Sequence, residues 1–346
     1  MLSNLMNISR INKKIKNLIL KENALPLFIN QKKLFKNSIK FNICTFGNKN
    51  RDKVFYVIRR SPGAGLFSNV IYVLNHLQMA EQNNFIPIVD MENFTTIYNE
   101  KEKIDNTYNA WEYYFEKINK YSLKDVYKSQ NVILGNNTFY KCFSHNILEQ
   151  KFYRIGKKYI KIKKNIIQEA KNFCKNNLDS NTLAIHYRGT SYKTSANHPY
   201  PATTEQSLEY INFLIKKYDY KKIFLCTEDL TFFNAMKNEF KSNLFYINSF
   251  RSSKDNAFKI YPRKQHRYKL GLEILQEALI ISKCQGFLHS ITNVSMYVKY
   301  LDNKKKLKYF TLNNGINTSN EFIAPYTWFY KKIFPEVLGG FKKKIF

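Results

Sequence analysis

Short apolar runs that end in a polar or glycine-rich break, each followed by helical spacing, limit more than any other feature what this chain can fold into. Val54-Phe55-Tyr56-Val57-Ile58 is one such run, and Ser61-Pro62-Gly63-Ala64-Gly65 breaks it. A run this short and wholly apolar reads as a buried strand. Val70, Val73, Leu74 and Leu77 then fall at i, i+3, i+4 and i+7, one face of a helix. Phe85-Ile86-Pro87-Ile88-Val89 is the next run and ends at Asp90, so the segment reads strand, glycine loop, helix, strand.

The same grammar returns from about residue 176. Leu183-Ala184-Ile185-His186-Tyr187 leads to Arg188-Gly189-Thr190-Ser191, and Ile223-Phe224-Leu225-Cys226 leads to Thr227-Glu228-Asp229. A helix-like stretch runs to Phe240, and Leu244-Phe245-Tyr246-Ile247 is a third short strand. The largely apolar stretch from Leu272 to Ser282 reads as a buried helix, delivering the chain to Gly286-Phe287-Leu288-His289 and the loop Ser290-Ile291-Thr292-Asn293. Strands alternating with helices predict parallel sheets in an α/β fold. There is no internal repeat. The expected plan is a basic lead-in over 1–53, a first α/β domain over 54–175, a second over 176–320 and a basic tail over 321–346. In the lead-in, Leu18, Ile19, Leu20, Leu27, Phe28 and Ile29 are too scattered to specify a domain.

Composition agrees with two domains. The chain has 346 residues, and a domain takes roughly 150. With 44% hydrophobic residues, 28 Phe and 25 Tyr against 11 Gly and 8 Pro, it can bury a sizeable core and is neither disordered nor collagenous. Its 56 Lys+Arg against 26 Asp+Glu give a net charge of +30, which favours anionic partners. Part of that excess is the Lys, Asn and Ile usage of an AT-rich genome, so the arginines inform more than the lysines. Cys44, Cys142, Cys174, Cys226 and Cys284 are odd in number and widely spaced, and read as mostly buried thiols in a reducing compartment. No run reaches the roughly 18 apolar residues of a membrane span, and residues 1–36 lack the apolar block of a secretion signal. A cytoplasmic protein is expected.

Ligands of parallel sheets bind beyond the carboxyl ends of the strands, where Arg188, Asp229 and Ser290 fall. Arg188 suits a phosphate, because its planar fork of donors makes bidentate contacts that Lys cannot copy. Ser290, Thr292 and Asn293 add hydroxyl and amide donors at the start of a helix, which itself favours an anion. Asp229 can accept hydrogen bonds from a base or ribose. Each position also has an ordinary structural role open to it: His186 as a core histidine, Arg188 in a surface ion pair, Ser290 or Thr292 as helix caps. Around Gly63, Gly65 and Asn69 the pattern is not G-x-G-x-x-G, since Ser68 takes the third position, and no G-K-[ST] follows. Neither a G-x-S-x-G elbow nor an H-E-x-x-H helix occurs, and the six histidines are too dispersed for an obvious metal cluster.

In order along the chain stand Gly63-Ala64-Gly65-Leu66-Phe67-Ser68-Asn69, His186-Tyr187-Arg188-Gly189-Thr190, Cys226-Thr227-Glu228-Asp229, and Glu277 to Cys284 leading to His289-Ser290-Ile291-Thr292-Asn293. This succession, over roughly residues 54 to 300, resembles the fucosyltransferase superfamily of core α-1,6-fucosyltransferases, rhizobial nodulation fucosyltransferases and protein O-fucosyltransferases. The resemblance implies two Rossmann-like domains facing across a cleft, the GT-B arrangement. It implies inverting transfer from GDP-fucose without a required metal or further cofactor, with the acceptor on the first domain and the donor on the second. His186 would lie near the guanine, Arg188 would hold the β-phosphate and Asp229 would contact the nucleoside. The loop from Ser290 to Asn293 would close over the pyrophosphate, and Gly63, Gly65 and Asn69 would face the donor sugar. The match departs where Ser191 replaces the family's Asp, where Tyr192 or Lys193 stands for its Lys, and where Glu277 replaces a more usual Asp.

Chemistry points the same way. A departing diphosphate needs cations or backbone N–H groups, and Arg188 is suited to that task. The sequence has no convincing D-x-D metal signature. The acceptor hydroxyl needs a base, for which Asp90 and Glu92, just past a strand, are candidates, although a cap or surface charge is open to either. The expectation is therefore a glycosyltransferase acting on a glycan or lipid-linked glycan, with no nucleic acid as partner, and with peripheral contact to an anionic membrane through Lys13, Lys14, Lys16, Lys342, Lys343 and Lys344 at its inner face. Two other readings are a basic nucleic-acid-binding protein and a catalytically idle glycan-binding relative.

Overall fold

The computed structural model describes residues 30–36, 39–135, 148–303 and 306–345. The lysines at 13, 14 and 16, the apolar positions from Leu18 to Ile29, and Cys142 lie outside them. The chain divides into two compact units, one made of residues 1–63, 72–113 and 117–142, the other of 64–71, 114–116 and 143–346.

The first sheet contains β1 (Asn30–Lys36), β2 (Ile39–Thr45), β3 (Phe55–Ile58), β4 (Ile86–Val89) and β5 (Val132–Leu134), in the order β1-β2-β5-β3-β4. Helix α1 (Leu66–Gln82) links β3 to β4, and the short α2 (Leu123–Val126) precedes β5. β3 runs parallel to both neighbours, whereas β1 and β2 are added antiparallel. All four residues of β3 are buried, as are Val70, Val73, Leu74 and Leu77 of the α1 stripe. Burying one such side chain is worth about 1.5–3 kcal/mol, which fixes which helix face turns inward. Residues 39–45, expected as lead-in, instead form an alternating strand: Phe41 and Ile43 are buried while Lys40 and Asn42 point out. The high Lys and Asn content hid that period of two, and such residues suit a strand near a sheet edge.

The second unit begins earlier than residue 176. Helices α3 (Gln150–Tyr159) and α4 (Lys164–Asn177) belong to it, and Phe173 of α4 meets Phe224 edge-on at 5.5 Å. Its sheet is wholly parallel: β6 (Thr182–Tyr187), β7 (Lys222–Thr227), β8 (Leu244–Phe245), β9 (Gly286–His289) and β10 (Lys308–Thr311), ordered β10-β9-β6-β7-β8. Between these strands run α5 (Thr204–Tyr218), α6 (Leu230–Phe240), α7 (His266–Ile281) and α8 (Asn293–Leu301). The chain winds from β6 outward to β8, then returns across β6 to build β9 and β10. The winding therefore reverses between β6 and β9.

The C-terminal segment is no solvated tail. Helix α9 (Ala324–Ile333) is held by Trp328, 5% exposed, whose Nε1 donates to the Pro201 carbonyl at 2.8 Å. Further on, Gln206 Nε2 donates to the Lys342 carbonyl at 2.6 Å. Cys44, Cys226 and Cys284 are buried free thiols and Cys174 is a half-buried one, in line with a chain that uses cysteine as a small hydrophobe. Among the described residues, no helix is long and apolar enough to cross a membrane.

Candidate functional site

The reversal point of a doubly wound sheet leaves a crevice at the carboxyl ends of its two central strands, because the helices there leave in opposite directions. In the second unit those ends are Tyr187 of β6 and His289 of β9. Arg188 follows the first, and Ser290, Thr292 and Asn293 follow the second. Asp229 follows β7, the neighbour of β6 on the other side. The sheet thus brings together five of the residues expected to bind a donor.

Arg188 is 39% exposed in its side chain. Its Nη2 donates to Ser191 Oγ at 3.0 Å, and its Nε lies 3.6 Å from Glu228 Oε1. That same oxygen accepts from the backbone N–H of Gly189 at 3.0 Å, the N–H of Thr190 at 3.2 Å and the Thr190 hydroxyl at 3.1 Å. Two consecutive amides, a hydroxyl and a guanidinium converging on one point form an anion cradle, and the chain's own carboxylate lies in it. Beside it, Lys193 Nζ pairs with Asp229 Oδ2 at 2.8 Å, while Asp229 Oδ1 caps α6 by accepting from the N–H groups of Thr231 and Phe232. Both oxygens of Asp229 are thus engaged inside the protein, Oδ1 by the helix amides and Oδ2 by Lys193. Only glycine fits at position 189, since a Cβ there would run into Asp229 and the Tyr187 ring.

At the other strand end, Thr292 caps α8 in a reciprocal box with Ser295: Ser295 N–H donates to Thr292 Oγ1 at 3.1 Å and Thr292 N–H to Ser295 Oγ at 3.0 Å. The cap orients the first amides of the helix, Asn293 among them, toward the carboxyl edge of the sheet, where they favour negative charge. Ser290 is buried beside it, and its carbonyl bonds the Nδ1 side of the His289 ring at 2.9 Å.

Beneath these loops lies a row of polar side chains in an otherwise apolar sheet. His289, His186 and Cys226 are register partners across β9, β6 and β7. Burial, reinforced by Arg188 and His289, pushes His186 down to about 3, and burial pushes His289 down to about 4. Both rings are neutral near pH 7. His186 Nδ1 and His289 Nε2 have no hydrogen-bond partner among the described residues. Cys226 Sγ donates to Glu277 Oε2 at 2.9 Å and Ser249 Oγ to Glu277 Oε1 at 3.0 Å, while burial raises that carboxyl to about 7.

The remaining candidates, from Gly63 to Glu92, are mostly committed to local structure. Gly63 has φ +74°, the left-handed conformation that glycine adopts without strain. In the first turn of α1 Asn69 is 2% exposed and brackets Ala64: its Oδ1 accepts the Ala64 N–H and its Nδ2 donates to the Ala64 carbonyl, both at 3.1 Å. Gly65 leaves open space where a side chain would stand. Asp90 is fully buried; Oδ1 accepts from the N–H groups of Glu92 and Asn93, and Oδ2 from Asn93 Nδ2 and the Tyr127 hydroxyl at 2.6 Å. Burial nevertheless raises its pKa. A carboxylate with all its donors in place holds a turn, whereas a general base needs an oxygen facing the acceptor. Glu92 is half-buried. Among the described residues no group of three or more His, Cys, Asp or Glu side chains is placed to hold a metal ion.

Sequence reasoning passed over Glu228, His289 and the tie between Cys226 and Glu277. The signal for Glu228 was its place one residue beyond a buried strand. Its partners, about forty positions upstream, become visible only once β6 and β7 are paired.

The chain is similar to solved fucosyltransferase structures. NodZ α-1,6-fucosyltransferase co-crystallised with GDP matches at 12% identity and a TM-score of 0.47, over 71% of this chain and 92% of that one. Fucosyltransferase NodZ from Bradyrhizobium matches at 12% identity and a TM-score of 0.46, over 71% of this chain and 93% of that one. POFUT1 in complex with GDP-fucose matches at 12% identity and a TM-score of 0.44, over 76% and 99%. No family model and no curated protein matches the sequence.

Proposed function

We propose that this chain is an inverting glycosyltransferase that takes a nucleoside diphosphate sugar, GDP-fucose by the resemblance of its motifs, and passes the sugar to a glycan or lipid-linked glycan. One observation carries the reading: Arg188, the amides of Gly189 and Thr190, and the capped start of α8 all lie at the reversal point of a parallel sheet. This is where such folds bind phosphates. As the acceptor oxygen bonds to the sugar carbon, the bond from that carbon to the β-phosphate oxygen breaks and the diphosphate departs with an added negative charge. The Arg188 guanidinium and the α8 amides stabilise that charge without a metal ion. The acceptor proton goes to a general base. With Asp90 enclosed by its donors, Glu92 is the expected carboxylate left to test, by Glu92→Gln. The neutral His186 ring, with an unpaired nitrogen at the end of β6, suits a purine edge. The free thiols suit a reducing, cytoplasmic setting.

A thermal-shift screen against GDP, UDP, CDP and single-stranded DNA tests this reading. Selective stabilisation by GDP is expected, because a ligand that binds only the folded state raises its stability. A response to DNA alone contradicts it and favours a nucleic-acid-binding protein.

A further inference from the structure

Helix α9 turns an apolar face to solvent. Its inner side holds Ala324 and Trp328, while Tyr326, Phe329, Tyr330 and Ile333 share the outer side at i, i+3, i+4 and i+7 and are 72%, 46%, 45% and 77% exposed. A surface helix ordinarily buries such a stripe. The chain then folds back: Tyr330 Oη donates to the Leu338 carbonyl and Lys331 Nζ to the Gly339 carbonyl, both at 2.8 Å, and Phe341 N–H donates to the Lys331 carbonyl at 2.8 Å. This brings Val337, 90% exposed, beside the stripe. Contiguous apolar surface of this kind marks an interaction site. From Phe322 onward the chain carries five lysines, at 331, 332, 342, 343 and 344, against a single acid, Glu336. Lys332, Lys342, Lys343 and Lys344 are exposed, Lys344 with Glu209 3.7 Å from its ammonium group. A lipid surface with anionic headgroups matches both the exposed apolar stripe and the basic character of the segment that carries it. Aromatic and aliphatic side chains enter the headgroup boundary and lysine stems reach out to the charges.

We propose that this face of α9 and the turn after it docks on an anionic membrane surface. The proposal is independent of the donor chemistry. Co-sedimentation of the full chain with vesicles of phosphatidylcholine alone, and of phosphatidylcholine mixed with phosphatidylglycerol, tests it. Binding to the mixed vesicles at low salt, weakened by high salt, is expected. Because the whole protein is strongly basic, the decisive comparison is a Phe329→Ser, Ile333→Ser, Val337→Ser variant, which keeps every charge and leaves the Trp328 anchor in place. Its binding should fall by at least about tenfold, with circular dichroism and GDP response unchanged. A Lys332→Gln, Lys342→Gln, Lys343→Gln variant should show a weaker preference for the mixed vesicles than the parent. Equal binding by the apolar variant and the parent overturns the proposal. So does a parent that is dimeric in analytical ultracentrifugation and becomes monomeric in that variant, since a second copy would then cover the face.

Discussion

Glu228 Oε1 lies 3.0 Å from the backbone nitrogen of Gly189, inside a cradle that also draws on Thr190 and on Arg188 Nε at 3.6 Å. A donor phosphate held by Arg188, as proposed above, would compete with this internal anion. Glu228→Gln keeps the shape and removes the charge, so GDP should bind several-fold tighter, by titration calorimetry, with most of the gain in slower dissociation. Unchanged or weaker affinity would mean that the phosphate and Glu228 do not share the cradle.

Asp229 serves two neighbours, which two substitutions separate. Asp229→Asn keeps a good helix cap and loses only the Lys193 pair, whose lysine is 22% exposed, so about 1 kcal/mol of stability should go. Asp229→Ala loses the cap as well and should cost about 2–3 kcal/mol. Urea midpoints read both; equal losses would show that the cap contributes nothing.

The buried histidines make stability depend on pH. His186 and His289 are pushed down to about 3 and about 4 when folded, below the value the unfolded chain has. In mild acid the unfolded state therefore binds protons that the folded state refuses. Stability is full above about pH 6.5 and is lost as pH falls toward 4 and then 3, at up to about 1.4 kcal/mol per pH unit for each ring. Urea unfolding of the parent should weaken more between about pH 7 and about pH 5 than that of a His186→Gln, His289→Gln variant, by roughly 4 kcal/mol, about half from each ring. Parallel pH profiles would contradict buried neutral rings.

Charge stabilisation by Arg188 and helix amides asks nothing of a divalent ion. Sugar transfer should persist in excess EDTA. Loss of transfer in EDTA, with recovery on adding Mn²⁺ or Mg²⁺, would show that the diphosphate leaves on a metal.

What the sequence disclosed follows from how local each signal is. Phe55 to Ile58, Leu183 to Tyr187 and Phe287 to His289 are buried on both faces, so their apolar runs are legible without knowing their neighbours. The α1 stripe is legible for the same reason. β10 was not: its residues are only partly covered or exposed, and with β9 as its sole neighbour it needs no apolar run. The strand ends carrying Arg188, Asp229 and Ser290 could be located from pattern alone. Their partners could not, because Tyr127 reaches Asp90 from 37 positions away and Lys193 reaches Asp229 from 36. Such contacts turn a residue of catalytic type into a structural one, and only the folded chain reveals them. Trp328 gave no warning either: its 127-residue reach to Pro201 ties what reads as a tail to the second unit.

Arg188 is the proposed ligand of the donor phosphate, and titration of GDP into the parent and into Arg188→Lys tests that role most directly. Lys keeps the charge and loses the planar fork, so the substitution should leave the thermal midpoint in place and weaken GDP binding by about tenfold or more. Transfer should fall further still, by about a hundredfold, as the departing diphosphate loses its guanidinium. GDP affinity and turnover unaltered in Arg188→Lys would contradict a phosphate-binding role for Arg188.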